Sequence, residues 1–445
     1  MSLNQTAGEG STSSITGVGP HDGLQISATS GRKAVVVHAG ARDSYQLAWA
    51  LAERDLLDRL YTDLFWPTDR AFANRLARFL PGFHRQAMQR SSPGIPFGRV
   101  RMNVLRGVLS LLVERLRRIP AGLRRRAHRS ADAALGSRAG RRAAKTHAGL
   151  VSYSYYGYDA MRQYGQPAML FQVHPHPATV RRLLSEELAA HPDCAESLEQ
   201  EWELALPEED FEHLVAETRM ASRFMAASTF TRNSLLEHGA NPDAISVVPY
   251  GVDLDRFQPD EHRSAPVAGA RLQLLFVGRI NQRKGIKYLL EALKQFDSSD
   301  VELTICGRVV DSLDLFRASG VEVKIRPSVS AEELVRAYQT ADLFIFPSVA
   351  EGFGQVLLES LACGLPILAT THTAAPDLIT EGREGFIVEP RRPDLLVERI
   401  AWCLGNRATL FDMRKHARST AERFTWARFR REAAAAVQSY LEETA

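Results

Sequence analysis

One pattern constrains this chain more than any other, and it runs twice: a short apolar run rich in β-branched residues, a Gly or Pro at its end, then a stretch with helical periodicity. Strands of that kind are buried on both faces, which calls for a parallel sheet covered by helices. In the first half, 34–38 is such a run, followed by Gly40 and a helix carrying Leu47, Leu51 and Leu56. The runs at 150–153, 168–172 and 225–228 continue it. In the second half, 244–248, 272–277, 301–305, 343–346 and 366–369 supply five more strands. A chain of 445 residues is too long for one core, so two doubly wound domains are expected. The breakers His238-Gly-Ala-Asn-Pro242 place the boundary near 243/244, giving domains at 32–243 and 244–415.

Outside this grammar lie three segments. Residues 1–31 are rich in Gly, Ser and Thr and lack a basic stretch followed by an apolar one, so they read as a disordered tail and not as a signal peptide. An Arg-rich insertion at about 70–145 holds eighteen Arg and one Lys against two carboxylates. An acidic block follows, with twelve carboxylates and no Lys or Arg from Glu186 to Glu217. Around 105–116 the basic region turns amphipathic, with Leu105, Val108, Leu109, Leu112 and Leu116 on one arc and Arg106, Arg117 and Arg118 elsewhere. Three readings stay open: a helix lying on an anionic membrane surface, a core-facing helix with a solvated Arg face, and a nucleic-acid contact. Few interleaved aromatics argue against the third, and no nucleic acid is expected. Four scattered cysteines without a CxxC pair suggest neither zinc nor disulfides, and a reducing, cytoplasmic setting follows. The uncharged stretches at 163–180 and 360–376 are broken by Pro, Gly and His and do not read as membrane spans.

Ligands of open parallel sheets bind at the carboxyl ends of the strands. After 343–346 comes Pro347-Ser-Val-Ala-Glu-Gly-Phe-Gly354, then an apolar helix. Gly352 and Gly354 leave backbone N–H groups open at that helix start, a ready anion site. Glu351 and Glu359 stand eight residues apart, about 10 Å along a helix, which suits hydroxyl-bearing groups on either side of a diphosphate. Taken alone, the segment is also an ordinary capped helix. The loop Gly278-Arg-Ile-Asn-Gln-Arg-Lys-Gly285 changes the balance, because Arg279 and Lys284 would reach the same crevice with positive charge. No acidic cluster suggests a metal.

The stretches VVPYGVDLDRFQP, FVGRINQRKG and FPSVAEGFGQVLLESLACGLPILAT resemble the retaining glycosyltransferases of family 4. The resemblance runs from about Ala226 to Pro390 and continues to Phe424-Thr-Trp426. It implies the GT-B fold, α/β with two Rossmann-like doubly wound parallel-sheet domains facing across a cleft, and a closing helix at 416–445 that crosses back to the first domain. It implies a nucleotide-sugar donor held by Gly278, Arg279, Lys284, Glu351, Gly352, Phe353, Gly354 and Glu359. Glu351 would meet the donor sugar, Glu359 the ribose, and Arg279 and Lys284 the leaving diphosphate, with no metal or other cofactor. His174 stands where relatives place a histidine beside the sugar; a histidine at a strand end is also commonly structural, and His176 has the weaker claim. Gly40 would let backbone approach phosphate or acceptor, and Asp43 is a further candidate. The chain departs from the family at Tyr250, commonly Asn, and at Ala374-Ala375, commonly paired Gly. Expected partners are a hydroxyl acceptor, free or lipid-linked, and an anionic inner membrane face. Two other readings compete with glycan or glycolipid synthesis: a sugar-nucleotide epimerase on a related fold, and a degenerate transferase acting in membrane-bound assembly.

Overall fold

The computed structural model describes residues 31–67, 90–104, 121–267, 269–310, 316 and 319–445. Seven strands build the first sheet: β1 Ala34–Val37, β2 Leu57–Thr62, β3 Val100–Met102, β4 Gly149–Tyr153, β5 Ala168–Gln172, β6 Ala221–Ala226 and β7 Ile245–Val247, in spatial order 3-2-1-4-5-6-7. Six build the second: β8 Leu272–Val277, β9 Val301–Cys306, β10 Val323–Arg326, β11 Leu343–Phe346, β12 Ile367–Thr370 and β13 Gly385–Val388, in order 10-9-8-11-12-13. Every pairing is parallel. In each sheet the strand order reverses once, between β1 and β4 and between β8 and β11. Loops part at those points, and the crevice they leave is where such sheets bind ligands.

The strands with every position buried, β1, β4, β5, β11 and β12, are apolar apart from Ser152, Gln172 and Thr370. β2, β3, β10 and β13 escape the sequence reading. In β2, Asp58 pairs with Arg142 at 2.9 Å, so a charged strand position is satisfied by a helix 84 residues away. In β10, Val-Lys-Ile-Arg alternates because it forms an edge of the sheet. Leu56 belongs to the turn before β2, since the first helix ends at Glu53. The boundary also moves: Ile245–Val247 pairs with β6, so the expected first strand of the second domain is the last of the first. The Arg-rich insertion is corrected in part. Within it, β3 is an edge strand of the first sheet and the helix Ala121–Thr146 packs on β1, with Leu135, Ala139 and Ala143 buried. The amphipathic stretch at 105–116, with Arg106, Arg117 and Arg118, lies outside the described residues.

The chain returns to the first sheet at its end. Val252 N donates to Phe424 O at 2.9 Å, Thr425 caps the helix Trp426–Glu443, and that helix, starting at 426 rather than 416, lies along Gln46–Glu53. Arg430 donates to Gln46 at 2.8 Å, and Tyr440 OH joins Leu150 N at 3.0 Å to Pro167 O at 2.9 Å. Tyr250, one of the departures from the family pattern, is the plug of this return, with its ring against Phe171, Phe353, Trp426 and Phe429. Phe429 is fully buried, with its ring against Phe171 of the first domain at 6.2 Å. Phe429→Ala is expected to cost about 3–5 kcal/mol in urea denaturation.

Candidate active site

At the reversal point of the second sheet, the loop leaving β8 packs on the loop leaving β11. Gly285 has φ 71°, and a Cβ there would lie 2.0 Å from Pro347 O, so only glycine lets the loops close. Val349 N donates to Arg283 O at 2.9 Å, and Arg283 Nε donates to Ala350 O at 3.0 Å. Glu351 N donates to His372 O at 3.0 Å, tying in the loop after β12. Held this way, Lys284 Nζ and Glu351 Oε2 form a half-buried ion pair. Burial, and the Arg283 and Arg279 guanidinium groups close by, pull the Lys284 ammonium down to about 7, against the raising effect of the Glu201 carboxylate. No side chain caps the helix Gln355–Ala362; Leu357 N is spent on Gly354 O at 2.9 Å, and the N–H groups of Gln355 and Val356 before it are the ones an anion can meet. One turn further, Glu359 accepts from Tyr338 OH at 3.0 Å; burial raises its pKa against that hydrogen bond.

The first domain supplies the facing wall. A Cβ on Gly352 would fall 2.0 Å from Val173 O and 2.9 Å from His174 Cα, so the loop of Glu351 sits directly on the loop of His174. The His174 ring meets Tyr155 edge-on at 5.4 Å. Ser228 and Thr231 donate their hydroxyls to Gly352 O, and Thr229 N donates to Asp377 at 2.8 Å, so the segment just after the Ala374-Ala375 departure contacts the first domain. Phe353, expected at the donor, has its ring buried on Tyr250 at 5.2 Å; only its backbone serves the loop, accepting from Ala374 N. Gly40 N–H is already spent on Asp63 at 2.9 Å and is not free for phosphate. Asp43 lies in a run of three left-handed residues, with φ of 44°, 51° and 62°, and takes a hydrogen bond from Tyr153 OH at 2.7 Å; burial lifts its pKa to about 7. His176 is structural: it caps the helix Pro177–Ala190 and stacks on His238, and burial holds it neutral with a pKa near about 3.

A third set of residues stands out only in three dimensions. Arg283 is buried between Glu201 at 2.8 Å and Glu203 at 3.4 Å, both buried and both from the first domain. Asn281 donates to Glu201 at 2.8 Å, Gln282 and Tyr288 reach Glu187 at 2.8 and 3.0 Å, and Arg391 pairs with Glu186 and Glu187. Arg279 is 55% exposed and lies 3.5 Å from Glu201. Within the acidic block, Glu187, Glu201 and Glu203 therefore clamp the basic loop, while Glu196, Glu199, Glu209 and Glu212 stay exposed. The signal in the sequence was its segregated charge; its partner was not legible.

Among the described residues no cluster of His, Cys, Asp or Glu could hold a metal ion, and no helix is long and apolar enough to cross a membrane. Residues 257–423 match the model of the family described as glycosyl transferases group 1. The second domain belongs to the group 1 glycosyltransferases. A D-inositol 3-phosphate glycosyltransferase of Paenarthrobacter aurescens is 34% identical over 238 residues, covering 50% of this chain and 58% of that protein. One of Nocardiopsis dassonvillei is 36% identical over 199 residues, 40% of this chain and 46% of its own. The chain thus spans about half the length of the relatives it matches. Solved structures cover more: Anabaena HepE in complex with UDP and glucose has a TM-score of 0.58 at 17% identity, over 92% of this chain and 100% of that one. Sucrose-phosphate synthase of Thermosynechococcus elongatus has 0.60 at 19%, over 92% and 98%. At such identities the likeness is one of fold, and the fold is GT-B.

Arg283→Met would leave Glu203 buried without its cation and Glu201 with only the long contact to Arg279. A loss of about 3–5 kcal/mol in denaturant unfolding is expected.

Proposed function

We propose that the chain is a retaining glycosyltransferase that moves a sugar from a nucleotide donor to a hydroxyl acceptor. The observation that carries this reading is the meeting of Lys284 and Glu351 at the reversal point of the second sheet, with His174 one backbone contact away across Gly352. In it, the diphosphate lies at the open helix start before Gln355, Glu359 accepts from the ribose, and Glu351 turns from Lys284 to the sugar hydroxyls. The bond between the anomeric carbon and the diphosphate oxygen breaks, and charge grows on that oxygen. Lys284 and Arg279 stabilise it. The acceptor oxygen bonds to the same face of the sugar, and its proton passes to the departing phosphate, so no protein nucleophile and no metal enters. Nucleotide-bound HepE supports trying UDP-sugars first.

A panel of nucleotide sugars tests the assignment. The parent chain is expected to release nucleoside diphosphate from one of them and to pass the sugar to an acceptor, whereas an epimerase returns an altered donor. Glu351→Ala should lower that release at least 100-fold; parent-like release in the variant contradicts the assignment.

We also propose that the Arg-rich segment brings the enzyme to an anionic membrane surface, where a lipid-linked acceptor resides. Its support is the run of eighteen Arg between 70 and 145. At low salt, co-sedimentation with anionic liposomes should exceed that with zwitterionic ones; equal partitioning removes the idea.

A further inference from the structure

A cavity of about 270 Å³ opens beside the donor residues on the side of the first domain. His174 and Arg279 line one edge of it, and Lys284, Glu351 and Glu359 are not part of its wall. Its floor is aromatic. Trp202 opens the short helix Trp202–Ala205, between Glu201 and Glu203; those two carboxylates run inward to Arg283, and the indole remains 42% exposed as the pocket wall, with Tyr155 beside it. A large exposed indole held by two buried ion pairs is an unusual surface feature, because burial of apolar rings is the rule and its exposure commonly marks a binding site.

The charge of the wall narrows the ligand. Three arginines line it, and each already faces a carboxylate: Arg283 faces Glu201 and Glu203, Arg279 faces Glu201 at 3.5 Å, and Arg129 faces Asp210 at 3.1 Å. Asp132 adds a further acid. A phosphate monoester entering here would meet these carboxylates and would have to compete with them for every guanidinium, at a desolvation cost. A neutral polyol meets no such penalty: its C–H face covers the indole while its hydroxyls exchange hydrogen bonds with the polar rim. The volume lies just below the ~300–1,000 Å³ usual for small-molecule sites, room for one ring and not for an oligosaccharide.

We propose that this pocket receives the acceptor, and that the acceptor presents there an uncharged, hydroxyl-rich sugar ring stacked on Trp202. The inference rests on the transferase reading for its direction, since His174 and Arg279 join the pocket to the donor. It differs from the phosphorylated inositol that the relatives' name carries.

Binding can be read without nucleotide, by ligand-observed NMR titration of the full chain with two matched sets. One set is myo-inositol and the methyl α-glycosides of glucose, galactose and mannose; the other is D-inositol 3-phosphate and the 6-phosphates of the same glycosides. At least one neutral ring is expected to bind tenfold or more tighter than its phosphorylated partner. Trp202→Ala should weaken that binding at least tenfold, and Trp202→Tyr should retain most of it. Tighter binding of the phosphorylated partners, no binding by any neutral ring, or parent-like binding by a folded Trp202→Ala chain overturns the proposal. Should the Ala variant not fold, the preference of the parent chain and the behaviour of the Tyr variant decide. Failure to bind any nucleoside diphosphate strikes the transferase reading instead, and that titration is separate from these.

Discussion

Arg283 is a cation with almost no access to water, and it is tolerable there only because the first domain brings Glu201 and Glu203 to it. An unpaired charge in that position would be among the costliest arrangements a fold can contain. The pairing is therefore a condition on how the domains meet. It also reaches the donor loops, since the same guanidinium donates to Ala350 O one residue before Glu351. Burial alone would weaken the Arg283 charge, but the Glu203 and Glu201 carboxylates hold its pKa above the usual range.

Two other contacts fix the remaining freedom. Gly352 lies against Val173 and His174 without room for a side chain, and the helix Trp426–Glu443 ties the end of the chain to β4 through Tyr440 and to Gln46–Glu53 through Arg430. Each joins the domains at a different place, so the crevice between the reversal points of the two sheets has walls set by packing, hydrogen bonding and charge together. Exposed Arg279, in contrast to Arg283, is held by a single long contact and keeps the freedom to turn toward a ligand.

How much of this was legible follows from where the information lies. Unbroken apolar runs such as Ala34–Val37 and Leu343–Phe346 announce strands because burial on both faces leaves no other composition open. Asp58 hides β2, since its partner Arg142 is distant in sequence, and Ile245–Val247 shows a strand without showing which sheet it joins. In the site, Lys284, Glu351 and Gly352 are legible because one short loop carries each signal, and spacing along a helix survives folding. Arg283 looks like one more loop cation beside Lys284. Only the fold distinguishes the buried one from its neighbours, and only the fold singles out Glu187, Glu201 and Glu203 from the acid-rich 186–217 segment as a clamp. Phe353 is the reverse case: it belongs to a conspicuous motif, yet its ring serves the contact with Tyr250.

The central claim is that a nucleoside diphosphate lies between the loop after β8 and the helix Gln355–Ala362. Hydrogen exchange of the full chain, with and without saturating UDP, addresses it most directly. New protection is predicted in 278–288 and 347–359, with the β10 edge and the far ends of both sheets unchanged. Protection confined to the first sheet, or to neither of these two segments while UDP is bound, would contradict the account.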